Sequence, residues 1–213
     1  MPEQAQKNKI EFGLENVHYA KAIQDLTTGE TTYDTPKKWP GAVELSLEPS
    51  GDLIKFKADN IDYYVSSNNQ GYDGTLTTAK LPEDFETDIL GEKVENGVQT
   101  EYANAETAPF ALMFQFEGDK HATRHVLYNC TASRPTVGST TKDSGDPNTT
   151  QLTFSASPRP SDKAVKTKTR PDSDPTVYDA WFNKVYEKSS STTTTTTTTV
   201  VPTTTTTSTT QAS

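Results

Sequence analysis

PFALMFQFEGDKHATRHVLYNCTA, residues 109–132, is the most apolar stretch of this 213-residue chain. Phe110, Leu112, Phe114 and Phe116 fall on one side of an extended backbone, and Ala111, Met113, Gln115 and Glu117 fall on the other. That is the period of two of a half-buried strand. Gly118-Asp119-Lys120 breaks the run. Arg124, Val126, Tyr128, Cys130 and Ala132 then form a second alternating line, so the stretch reads as an antiparallel hairpin at the centre of a β-sheet.

Toward the N-terminus, Ile10, Phe12 and Leu14 mark a first strand, and Val17–Leu26 a second that stops at the Thr28-Gly29 turn. Thr31–Tyr33 reads as a returning arm. PKKWPG, residues 36–41, reads as a loop anchored by Trp39. Val43, Leu45 and Leu47 alternate with polar residues, and Ile54, Phe56 and Ala58 do the same after Pro49-Ser50-Gly51-Asp52, which predicts a pair of strands joined by that turn. NIDYYVSSNNQGYDG, residues 60–74, reads either as a long hairpin loop or as a contact surface. Tyr, Asn, Ser and Gly give adaptable contacts of low entropic cost, so Asn60, Tyr63, Tyr64, Asn68, Asn69 and Tyr72 are the candidate subunit-interface residues. Thr75–Ala79 looks like a strand leaving that region.

LPEDFETDILG, residues 81–91, predicts a helix. Pro82 suits the first turn, three acids suit the positive end of the helix dipole, and Gly91 suits the stop. Lys93–Ala108 is polar with little periodicity. Beyond the central hairpin, Leu152, Phe154 and Ala156 mark another strand, and KAVKTKTR, residues 163–170, a short basic edge strand. Asp174-Pro175 starts a second helix, expected over about 175–187, with Val177, Trp181 and Val185 on its docking face.

The tract from Ser189 to Ser213 is almost wholly Ser and Thr, with no charge and no aromatic residue. Such a composition does not offset the entropy of ordering. The expected organisation is a flexible arm over 1–8, one domain over 9–188 and a disordered tail over 189–213. All 20 basic and 29 acidic residues precede Ser189, so the net charge of −9 belongs to the domain. A protein that grips nucleic acid through phosphates carries the opposite balance, whereas an acidic surface suits keeping DNA at a distance. The N-terminal residues hold no apolar signal core and no stretch reaches the length of a membrane helix. The expectation is a protein made in the cytoplasm without a signal peptide and with no membrane partner. The single cysteine rules out an intrachain disulfide.

Catalytic chemistry finds little support. His121 and His125 are four apart, but they lie in a turn and a strand rather than on one helix face. Cys130 and His125 are five apart in one strand and are expected on opposite faces. The acids of residues 83–86 match no calcium loop, and Asp59 with Asp62 lacks a second element. No nucleotide-binding or nucleophile-elbow motif is present. The expectation is no enzyme, no metal and no cofactor.

The order of motifs resembles the major tail protein (tail tube) family of long, flexible-tailed phages of Gram-positive bacteria, the phi13-type group. The likeness rests on GLENVHYA (13–20), PGAVELSLEPSG (40–51), ADNIDYYVSSNNQGYDG (58–74), LPEDFETDILG (81–91), the stretch from Pro109 to Pro135, LTFSASPRP (152–160) and VYDAWFNKVY (177–186). These blocks cover most of residues 9–188, in order. The resemblance implies a mainly β fold, a β-sandwich or open-barrel tail tube domain with a flanking helix and a C-terminal one. It also implies hexameric rings stacked into a tube in the virion tail. Such a tube is built around a tape-measure protein, joins tail terminator and distal tail proteins, and conducts double-stranded genomic DNA into the host without binding it specifically. The alternative is a carbohydrate-binding or adhesin-like β-sandwich on a Thr-rich stalk, with Tyr63, Tyr64 and Tyr72 as a sugar platform.

Overall fold

A computed structural model describes residues 7–25, 27–141 and 147–188. The expected Thr-rich tail and most of the N-terminal arm lie outside the described residues. The domain is mainly β, built on one large antiparallel sheet with two short helices. The central hairpin forms where its alternation places it, as β10 (Phe110–Gly118) and β11 (Thr123–Ala132), with Phe114 opposite His125 and Phe116 opposite Thr123. On one side β10 pairs with β1 (Glu11–Gln24), which pairs in turn with β2 (Thr31–Tyr33) and β3 (Lys37–Lys38). On the other side β11 pairs with β12 (Thr150–Ala156) and with the basic edge strand β13 (Lys166–Lys168). The sheet continues through β7 (Gly71–Thr78) to β4 (Ala42–Ser50).

Two expected strands near the N-terminus are one. β1 runs unbroken for 14 residues, but its register slips between Glu11 and Leu14 and again between Glu15 and His18. Asn16 sits at φ 49° there. Asparagine tolerates the left-handed conformation, so the irregularity is absorbed as a bulge rather than a chain break.

The sheet curls so that one face encloses a single apolar core. Tyr19, Leu76, Leu112, Phe114, Leu127 and Leu152 are almost fully buried in it. The first predicted helix, α1 (Glu83–Asp88), drives Phe85 into this core. Phe85 meets Tyr19 and Phe110 edge-on, at ring separations of 5.1 and 5.3 Å, and Trp39 at 4.5 Å. Such aromatic pairs add about 0.5–1.5 kcal/mol each beyond area burial. Trp39, expected to anchor its loop, is buried, and its Nε1 donates to Thr78 Oγ1 at 3.1 Å.

β10 was expected to be half-buried; both of its faces are covered. Ala111 and Met113 join Ala20, Val126, Tyr128, Trp181 and Val185 in a second cluster on the outward face. The cover is the C-terminal segment. Its helix, α2 (Pro175–Asp179), is capped by Asp174, whose side chain accepts from Thr176 N at 2.7 Å. The helix is five residues long rather than the expected 13, because turns replace it after Asp179. Trp181 and Val185 still dock, since a turn brings them to the sheet as well as a helix would. Arg124 lies 3.7 Å over the Tyr178 ring and donates to the Tyr178 carbonyl. Arg159, itself buried, makes two bonds to Asp162 and one to Glu187 at 3.3 Å.

Two further pairings differ from expectation. Residues 53–58 do not pair with β4, whose partner is β7. They form β5 (Leu53–Ala58), which pairs with β6 (Ile61–Ser67) in a separate two-stranded hairpin. The supposed long loop over 60–74 is therefore mostly strand. The aperiodic stretch 93–108 contains another hairpin, β8 (Lys93–Glu95) with β9 (Val98–Thr100). Asn96 and Gly97 hold positive φ at its turn, the Asn-Gly signature of a two-residue hairpin loop. Among the described residues no helix is long and apolar enough to cross a membrane.

Because Phe85 joins three aromatic rings in a closed core, Phe85→Ala is expected to lower unfolding free energy by about 3–5 kcal/mol. Urea denaturation followed by fluorescence measures this, and a loss under about 1 kcal/mol would remove Phe85 from the centre of the core.

Candidate functional site

The β5–β6 hairpin leaves the sheet at a tight root. Gly51 and Gly71 sit at φ +113° and +111°, and a Cβ on either would fall 1.9 Å from a backbone oxygen. Only glycine allows residue 51 to pass so close to the Asn68 carbonyl, and residue 71 to the Ala156 carbonyl of β12. At the tip Asp59 and Asn60 both hold positive φ, a two-residue turn. Between root and tip Leu53, Ile54, Phe56, Ile61, Tyr63, Tyr64 and Val65 are about half exposed or more, from 49% at Val65 to 69% at Tyr63. Ile54 lies opposite Ser66 and Phe56 opposite Tyr64, so these share one face, while Lys55 pairs with Asp62 at 3.3 Å. An isolated two-stranded hairpin is marginal in water, and apolar side chains spread over it gain nothing in the lone chain. Ile54, Phe56 and Tyr64 lie on one face and Leu53 and Val65 on the other, and large apolar side chains exposed on both faces mark an interaction surface.

The six candidate interface residues do not form one group. Asn60 is at the tip, Tyr63 and Tyr64 are on β6, and Asn68 and Asn69 lie in the connection to β7. Asn69 Oδ1 accepts from Gly71 N at 3.0 Å and so shapes the root. Tyr72 belongs to the main sheet, half-buried beneath Lys166, whose Nζ is 4.3 Å from the ring centroid. Sequence reasoning missed Leu53, Ile54 and Phe56 by assigning their strand to β4. The Asp-Asn pair between two β-rich runs was the signal for the true partner.

A second surface is the outward face of β4, β7 and β12. The register places Glu44, Thr77 and Gln151 in one row, Ser46, Thr75 and Thr153 in the next, and Glu48, Asp73 and Ser155 in a third. The three strands contain no lysine or arginine. Glu48 faces Asp73 directly, a like-charge pairing that destabilises a sheet. Val43, 59% exposed at the start of β4, is the one large apolar side chain exposed on these strands, and the wall has no cation for a phosphate. Asn8, at the end of the N-terminal arm, meets the β10–β11 turn instead, donating to the His121 carbonyl at 2.8 Å.

The histidines and cysteine do not make a catalytic group. The register slips between Leu127 and Cys130, so Cys130 and Ala132 turn to the core face and join His125 and Leu127 there. The expectation that His125 and Cys130 lie on opposite faces is therefore wrong, because a bulge changes the parity. They still pack separately: His125 stacks on Phe114 at 5.0 Å, and Cys130 lies opposite Phe110 and Ala156. Burial pushes the Cys130 thiol up, far from a reactive thiolate. His18 stacks on Phe182 at 4.8 Å, and burial lowers its pKa. Among the described residues no three His, Cys, Asp or Glu side chains are grouped to hold a metal.

No family model matches the chain, and no curated protein matches it. Solved structures give distant likenesses. A tube-terminating cap of an anti-feeding prophage is 14% identical, with 79% of this chain and 99% of that one covered and a TM-score of 0.44. A sheath–tube complex of an extracellular contractile injection system is 13% identical, with 76% and 93% covered and a TM-score of 0.46. A sheath/tube terminator of such a system is 13% identical, with 76% and 99% covered and a TM-score of 0.44.

Burial lowers the His125 pKa from 6.5 to about 4. The unfolded chain binds this proton more readily, so the contribution to stability is present above pH 6.5 and is lost as pH falls toward 4. His125→Phe is expected to flatten the fall in stability between pH 6.5 and 4, measured by urea midpoints at several pH values. An unchanged slope would show that His125 is not the group responsible.

Proposed function

We propose that this chain is a structural subunit of a phage tail tube. Copies of it form six-membered rings that stack into a hollow tube in the virion, and the tube conducts genomic DNA. Its function is assembly, not catalysis. The observation that carries the reading is the β5–β6 hairpin: a marginal element on which seven large apolar side chains stay about half exposed or more among the described residues. Burial against neighbouring subunits supplies what the hairpin lacks alone, at about 25 cal/mol per Å2 of apolar surface removed from water. The sequence resemblance names the kind of assembly in which such a surface is used. Tape-measure, tail terminator and distal tail proteins are the partners that it implies.

The bare wall of β4, β7 and β12 is the surface we assign to the bore. Its acids repel duplex phosphates, and the wall offers them no cation. Six copies would repeat Glu44, Glu48 and Asp73 around the channel.

The test is electron microscopy of the concentrated wild-type protein beside an Ile54→Lys/Phe56→Glu variant. Wild type is expected to give six-fold rings or tubes. The variant is expected to stay monomeric with a urea midpoint close to wild type, since exposed substitutions change stability by about 0.5 kcal/mol or less. Rings formed equally well by the variant would overturn the role given to the hairpin.

A further inference from the structure

Three segments distant in sequence enclose a pocket of about 340 Å3 beside the β10–β11 turn. Lys7 and Asn8 come from the N-terminal end, His121 from the turn, and Lys168, Thr169 and Arg170 from the end of β13. Asn8 fixes the wall: its Nδ2 donates to the His121 carbonyl, and its Oδ1 accepts from Lys120 N and His121 N at 3.3 and 3.2 Å. Gly118 makes room for this clamp, since a Cβ there would fall 2.0 Å from Asn8 Nδ2. Donors around the pocket outnumber acceptors. Thr169 is buried, and its Oγ1 accepts from Arg124 N at 2.9 Å, which leaves its O–H to donate. Arg170 gives Nε to Asp172 at 3.0 Å, and its Nη groups make no hydrogen bond among the described residues. Lys7 and Lys168 are in no ion pair among the described residues. Glu11 is the one acid in the wall, and it already accepts from the Thr123 hydroxyl at 3.0 Å. With Asp172 included, three cations meet two acids here, in a chain of net charge −9.

We propose that this pocket binds a small phosphate. Its volume stands at the small end of ligand pockets, which run from about 300 to 1,000 Å3. Pro171 is the only apolar residue in the wall, so the ligand is polar. The Nη pair of Arg170 matches two oxygens of a phosphate, and Lys7 and Lys168 add point charges. The Thr169 hydroxyl and a His121 ring N–H add neutral donors. Together these exceed the roughly four lone-pair sites of a carboxylate, and they suit the oxygens of a tetrahedral anion. The Asn8 clamp holds the wall before any ligand arrives, which lowers the ordering cost of binding. The site belongs to the single chain and does not depend on the tube reading.

The test is calorimetric titration of the dilute full chain with inorganic phosphate at constant ionic strength, with acetate as the comparison anion. Wild type is expected to bind one phosphate per chain, saturably and more tightly than acetate. Lys168→Gln/Arg170→Gln is expected to weaken phosphate binding by about tenfold or more, as the loss of charge-assisted bonds requires. Both side chains are exposed, so its urea midpoint should stay close to wild type and show that the variant folds. Lys163→Gln/Lys184→Gln removes the same charge from exposed positions outside the pocket and is expected to bind as wild type does. Absence of saturable phosphate binding to wild type would overturn the site. Equal weakening in both double variants would reduce it to general charge attraction and overturn it as well. Acetate binding as tight as phosphate would overturn the choice of ligand.

Discussion

The strand Phe110–Gly118 is covered on both faces, and much of the domain is arranged to provide that cover. Phe110, Leu112 and Phe114 point into the curled sheet and meet the core that Phe85 completes. Ala111 and Met113 point outward and require a second layer. The C-terminal segment supplies it, held by Arg124 over Tyr178 at one point and by Arg159 to Glu187 at another. A buried guanidinium is tolerable only where its donors are satisfied, and Arg159 meets Asp162, Glu187 and the Tyr33 hydroxyl. The segment is therefore part of the fold rather than an appendage.

That arrangement divides the outward side of the sheet into two regions with different chemistry. Around β1, β10 and β11 it is roofed and apolar; over β12, β7 and β4 it is open and made of hydroxyls and carboxylates. The hairpin at β5–β6 is a third kind of surface, apolar and about half exposed among the described residues. Folding explains the first region. It does not explain cross-strand Glu48 and Asp73, nor isoleucine, phenylalanine and tyrosine held out on two strands. Those features act against the stability of a lone chain, and the assembly proposed above gives them a use.

Much of this was legible in the chain. The central hairpin, the strand at Leu152–Ala156, the basic edge strand and the Asp174-Pro175 helix start all follow from local period and capping chemistry. Partner choice did not. β4 and β5 alternate equally well, and pairing β4 with β7 instead spans a gap in sequence that periodicity does not encode. The parity change between Leu127 and Cys130 is also silent, since a bulge needs no special residue in β11. The length of the second helix was overread from Val177, Trp181 and Val185, whose spacing fixes what docks but not the backbone that brings it there. Of the proposed interface, the tyrosines of β6 were legible as a surface, and the apolar residues of β5 were hidden by the wrong partner.

The central claim is that the β5–β6 hairpin is an assembly element, left unfinished in the single chain. Hydrogen exchange over residues 53–67, compared between dilute monomer and assembled protein, tests it most directly. The account predicts exchange near the rate of an unprotected segment in the monomer and strong protection after assembly, while β10 and β11 stay protected in both. Equal protection of the hairpin in the two states would contradict it.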